Sequence, residues 1–196
     1  MKKAILLIML TILTISVKAQ TTKWSFDEAH SKIGFSVVHM MVSDVDGNFK
    51  KYEGEITSDK EDFSDAKINF KIDVSSINTD NDKRDEHLRS ADFFNAPQFP
   101  SITFVGDKMK KAGKGKYKLT GNFTMLGVTK KVTMDVTNRG IRKDPWGNTK
   151  AGFKLTGKVN RSDYGLKYNS VLDGGGVMIS DNVDITCNIE LLKSKS

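Results

Sequence analysis

From residue 24 onward apolar and polar side chains alternate one by one, and a period of two confines the chain to β-sheet. Ala66, Ile68, Phe70, Ile72 and Val74 share one face, while Lys67, Asn69, Lys71 and Asp73 share the other. The same pattern runs through Ile33, Phe35, Val37 and His39, through Val132 to Val136, and through Ala151, Phe153, Leu155, Gly157 and Val159. About eight such runs are separated by turn signals such as Asp46-Gly47-Asn48, Ala112 to Gly115, Asp144 to Gly147 and Asp173 to Gly176. Strands with one apolar and one wet face belong to antiparallel sheets. A sandwich or a closed barrel would bury the inner faces. A barrel also removes exposed edges, and eight strands leave room for one small ligand. Periodicity alone does not choose between the two.

The alternation breaks once, over residues 79 to 91, where a charged stretch suits one short helix near residues 80–92. Thr79 or Asp80 is the expected cap, Asp82 complements the helix dipole, and Leu88 is the apolar anchor before Phe93 and Phe94. A helix in a strand-rich chain suits a cover over a barrel mouth. The run SINTD, then Asp85, His87, Leu88, Ser90, Asp92, Phe93 and Phe94 in the pattern DxHLxSxDFF, then PxxxF, resembles the YceI-like family. DEAHSKIGFSVVHM, GNFTMLGVTKKVTMDV and NRSDYGL agree with it, so the resemblance covers roughly residues 24 to 191. It implies an all-β, antiparallel, eight-stranded lipocalin-like barrel that binds a polyisoprenoid or quinone-like lipid.

Residues 1–19 read as a secretory signal peptide: Lys2 and Lys3, an apolar run from Ala4 to Val17, and small residues at Val17 and Ala19. Residues 20–196 then form a single domain, exported to the periplasm or secreted. Removing Lys2, Lys3 and Lys18, with no acid lost, lowers the formal charge from +7 to +4. So mild an excess gives no argument for nucleic acid. Cys187 is the only cysteine, which excludes an intramolecular disulfide, and it shares a face with apolar neighbours as buried filler.

Three histidines, His30, His39 and His87, show no HxH or HxxxH spacing, so no metal is expected. Asp85, His87 and Arg89 stand two apart on a helix and do not face one another, which reads as an exposed ion-pair cluster rather than a catalytic set. His39 lies on an apolar face, either as a satisfied core histidine or as a polar handle in a greasy pocket. Lys108, Lys110, Lys111, Lys114, Lys116 and Lys118 gather on one hairpin, a solvated loop or a peripheral contact with anionic membrane.

Phenylalanines on inward faces either pack a solid barrel or line an apolar tunnel. The expected lining is Phe35, Val37, His39, Phe49, Tyr52 and Phe70 from the first half of the barrel. Ile72, Leu88, Phe93, Phe94, Phe104 and Phe153 complete it, with His39, His87 and Arg89 orienting the head group. The reading is a binding protein, not an enzyme, for carriage, storage or sequestration of a long apolar lipid, with fatty acids or amides as the next ligand choice. The alternatives are a barrel enzyme using His39 or His87 as general base on a small carbonyl or ester, and a stress-response interaction domain with a filled core. Oligomeric state is left open, a homodimer included.

Overall fold

The computed structural model describes residues 21–194; the proposed signal peptide lies outside them. Its strands are β1 (Lys23–Phe26), β2 (Lys32–His39), β3 (Ser43–Phe49), β4 (Tyr52–Thr57), β5 (Lys67–Asp73) and β6 (Ile77–Asn78). Beyond the helix α1 (Asp82–Arg89) follow β7 (Ser101–Gly113), β8 (Lys116–Met125), β9 (Val128–Lys143), β10 (Thr149–Asn160) and β11 (Asn182–Lys193).

These segments resolve into eight physical strands, because the first three are kinked. β1 and β2 both pair with β11, through Trp24↔Lys193 and Phe35↔Ile185. β3 pairs with β2, while β4 pairs with β1 and β5. β6 continues β5 past a 3-10 turn and joins β3. Each remaining strand pairs with its successor, and β1 meets both β4 and β11, so the sheet closes into an eight-stranded antiparallel barrel.

The first kink is pinned by polar groups of the DEAHS stretch. The Asp27 amide donates to the Glu190 carbonyl at 2.9 Å, and Ser31 Oγ exchanges hydrogen bonds with the Glu190 backbone. Lys150 Nζ donates to Asp27 at 2.8 Å and to Glu190 at 2.7 Å. That hydrogen bond from Lys150 holds the Asp27 carboxyl down at about 2. His30 Nδ1 also lies 3.0 Å from Asp27. Asp27, His30 and Glu190 could together face a cation, and the Lys150 ammonium already occupies that place.

Two features differ from the expectation. Asp46-Gly47-Asn48 lies inside β3, and the turn falls at Met40-Met41-Val42, where Val42 N bonds to His39 O. Glycine is needed at position 47 for close approach: a Cβ there would lie 2.2 Å from Phe35 Cζ. The cap of α1 is Asn81, whose Oδ1 accepts from Arg84 N, rather than Thr79 or Asp80.

The barrel ends differ. At one end residues 58–66 fold inward as a plug. Phe63 is 1% exposed and its ring packs on Trp24 and Phe153 at centroid distances of 4.9 and 4.8 Å. The lysine-rich β7–β8 hairpin stands at this end, since β7 runs toward it from Ser101. The other end carries α1, the Met40 turn and the segment 165–181.

Candidate functional site

Inside the barrel is a cavity of about 410 Å³. Every strand of the ring contributes inward residues, for instance Phe35, Phe49, Phe70, Phe104, Met134, Phe153 and Ile185. Phe35 and Phe70 face glycines, Gly47 and Gly54, directly across the strand pairs. A ring laid over a glycine sits low against the sheet and leaves the centre open. Among the described lining residues there is no aspartate or glutamate.

The helix and the residues behind it form the cover, and the family-like motif builds it locally. Thr79 N and Oγ1 donate to the buried Asp85 carboxylate at 2.9 and 2.5 Å. Arg84 Nε donates to Thr79 Oγ1, and its Nη2 to the Thr79 carbonyl, both at 2.7 Å. Ser90 Oγ donates to the His87 carbonyl and accepts from Asp92 N, which ends the helix. Arg84, His87 and Leu88 line the cavity, as three- and four-residue helical spacing requires. Phe93 and Phe94 then turn inward beside them, Phe94 edge-on to Phe49 at 6.2 Å.

His87 and Tyr168 mark the opening, because they line the cavity and are also exposed: the His87 side chain by 42% and Tyr168 by 37%. Their rings meet edge-to-face at 4.9 Å, Phe93 stacks on Tyr168 at 4.6 Å, and His87 Nε2 lies 3.0 Å from Asp92 Oδ2. His39, at the end of β2, is bridged to Ile179 of the segment that bears Tyr168.

The segment bearing Tyr168 is held by Arg161 from the NRSDYGL stretch. This guanidinium is 3% exposed and donates to the carbonyls of Ser180, Leu166, Tyr168 and Ile179, and it pairs with Asp181 at 3.3 Å. Burial lowers its pKa. Asn169 clamps the same segment through both the N–H and the carbonyl of Ile179. Cys187 lies on the wall, its thiol pushed up to about 12 by burial, so it is inert filler rather than a nucleophile.

Of the residues singled out from sequence, Phe35, Val37, His39, Phe49, Phe70 and Ile72 line the cavity, as do Leu88, Phe93, Phe94, Phe104 and Phe153. Two do not. Tyr52 faces inward opposite Ile72, but its hydroxyl is spent on the Ser31 carbonyl at the kink, 3.1 Å away. Arg89 follows Leu88 by one position, about 100° around the helix, and falls off the lining face. The polar side chains lining the cavity near the opening therefore include His39, His87, Arg84 and Tyr168. Arg84 could have been found three positions before His87, and Arg161 two positions beyond inward-facing Val159. Tyr168 and Phe63 sit on irregular segments and carry no periodic signal.

A family model described as the YceI-like domain matches residues 24–191. A UPF0312 protein of Staphylococcus aureus (strain MSSA476) is 39% identical over 170 residues, covering 86% of this chain and 96% of its own length. The crystal structure of the Campylobacter jejuni YCEI protein is 34% identical, with a TM-score of 0.68 over 86% of this chain and 96% of that one. A polyisoprenoid binding domain from Saccharophagus degradans, implicated in plant cell wall breakdown, shares the fold at 15% identity. Its TM-score is 0.67 over 87% of this chain and 98% of that one.

Proposed function

The chain belongs to the YceI-like family, and from that premise we propose that it is an exported carrier holding the tail of an apolar lipid inside its barrel. The observation that carries the reading is the enclosed cavity of about 410 Å³ with apolar walls and its polar groups gathered at one opening. That volume lies within the 300–1,000 Å³ typical of small-molecule sites. A polyisoprenoid or quinone tail is the first choice of ligand, a fatty acid or amide the second. Roughly ten buried methylenes at about 0.8 kcal/mol each would supply about 8 kcal/mol, the scale of a micromolar Kd. Arg84, His39, His87 and Tyr168 would orient the head group at the opening.

No bond need be made or broken. His39 or His87 as a general base would want a carboxylate partner inside, yet Asp92, the partner of His87, is 61% exposed and lies outside the lining. The leader read at residues 1–19 supports export. Native mass spectrometry of protein purified from its own host, with extraction of any adduct, tests the reading. A hydrophobic lipid of stoichiometric amount is expected. Lipid-free protein that also fails to take up cis-parinaric acid would refute it.

A further inference from the structure

The end of the barrel that carries the opening also carries the most exposed apolar side chains near it. Met40, Met41 and Val42 are 45, 66 and 83% exposed on the β2–β3 turn. Val171 and Val177 are 82 and 40% exposed on the segment that follows Tyr168. The two tips touch, because a Cβ on Gly176 would lie 2.3 Å from Met41 Sδ. They are tied below by Met40 N to Met178 O at 2.7 Å and by the bridge between His39 and Ile179, while Val171 and Val177 bridge within the second tip. They therefore form one continuous apolar rim beside His87 and Tyr168.

The backbone at this rim is strained. Met40 and Met41 have φ of 50° and 62°, the left-handed region that glycine or asparagine fills in such turns. Two large apolar residues stay 45 and 66% exposed at left-handed positions despite the contact of Met41 with Gly176, and strain of this kind clusters at functional sites.

We propose that this rim is the surface by which the protein settles on a zwitterionic lipid bilayer, with the opening facing the acyl layer. The proposal rests on the carrier reading: a water-insoluble tail leaving at His87 and Tyr168 needs an apolar medium in contact with that opening. Charge selects the kind of bilayer. The charged residues on the two tips are Asp44, Asp46 and Asp173, with Lys167 the single cation before the Arg161-paired Asp181. An anionic surface would repel these two tips. The lysine-rich hairpin that suggested anionic membrane stands at the opposite, plugged end of the barrel.

The protein holds its own reporter of orientation. Trp24 is 6% exposed, whereas Trp146 is 82% exposed and lies at the plugged end, on the turn between β9 and β10. Mature protein is titrated with phosphatidylcholine vesicles and with vesicles containing phosphatidylglycerol, beside the variant Met41→Ser/Val42→Ser/Val171→Ser. Wild-type protein should sediment with the neutral vesicles, with no gain from phosphatidylglycerol and no blue shift of Trp146. The triple variant should partition at least tenfold more weakly while taking up cis-parinaric acid from buffer as wild type does. Equal partitioning of the variant, no binding by wild type, or a Trp146 blue shift abolished by Lys110→Glu/Lys114→Glu would each overturn the proposal. So would a wild-type dimer that the triple substitution splits without any vesicle binding, since a second copy would then cover the rim. If wild type refuses the fatty acid yet docks through the rim, the carrier reading falls and the docking surface stands.

Discussion

Replacing Gly47 by alanine should separate the barrel's stability from its capacity. The added Cβ would lie 2.2 Å from Phe35 Cζ, where ordinary contact begins near 3.4 Å, so the ring must withdraw by about 1.2 Å. Phe35 lies against the strand face from which that Cβ rises, and only the cavity offers it space. The off-rotamer cost of about 0.5–1.5 kcal/mol is offset by the roughly 0.5–1 kcal/mol that alanine gains over glycine in a strand. Net stability should change by less than about 1 kcal/mol. The displaced ring would take the place of about two ligand methylenes, worth some 1.6 kcal/mol, so affinity should fall about 15-fold. Gly121→Ala is the contrast. Its Cβ would lie 2.5 Å from both Phe104 Cζ and the Val105 carbonyl, and backbone cannot swing aside. That change should cost about 2–3 kcal/mol, as overpacking does. Urea denaturation gives the stabilities, and cis-parinaric acid titration gives the affinities. Equal destabilisation by the two substitutions, or wild-type affinity in Gly47→Ala, would refute an open interior bordered by Phe35.

Arg161→Met should cost about 2–4 kcal/mol, because it strips the carbonyls of residues 166, 168, 179 and 180 of a charged donor. Hydrogen exchange should then rise across residues 165–181 ahead of the strands. Asp27, held at about 2 against an ordinary 3.8 by Lys150, contributes stability that is complete above about pH 4 and lost as pH falls toward 2. Thermal melts of Asp27→Asn should be lower than wild type at neutral pH and flatter through that acid window. Phe94→Ala removes a lining ring of the cover that meets Phe49, so stopped-flow transfer should show faster ligand release with a smaller change in affinity.

The alternation made the barrel wall legible because each strand is wet outside and apolar inside. β5 and β10 place Phe70, Ile72, Phe153 and Leu155 on the cavity side as their parity requires. The kinks were hidden, since Asp46-Gly47-Asn48 has the composition of a turn while the real turn uses methionines. Gly47 is set by its contact across the sheet with Phe35, and a contact between strands leaves no local mark. Arg89 looked suited to the opening by type alone, whereas helical phase gives that place to Arg84. Tyr52 likewise has the right parity, yet its hydroxyl was claimed by a kink the pattern did not show.

The ring is sealed by its first and last strands: Trp24 pairs with Lys193, and Phe35 with Ile185. Every other seam joins neighbours in sequence, but this one must bring together segments separated by most of the chain. Closing so long a loop adds only slowly to the entropic cost, yet topologies rich in distant contacts fold slowly. During folding the chain can therefore form its hairpins early and still enclose nothing. The cavity is enclosed only once β11 pairs with β1 and β2, the last seam the ring needs. A ligand present at that moment would stabilise the closed ring alone, and so would act on the last step of folding rather than on any strand before it.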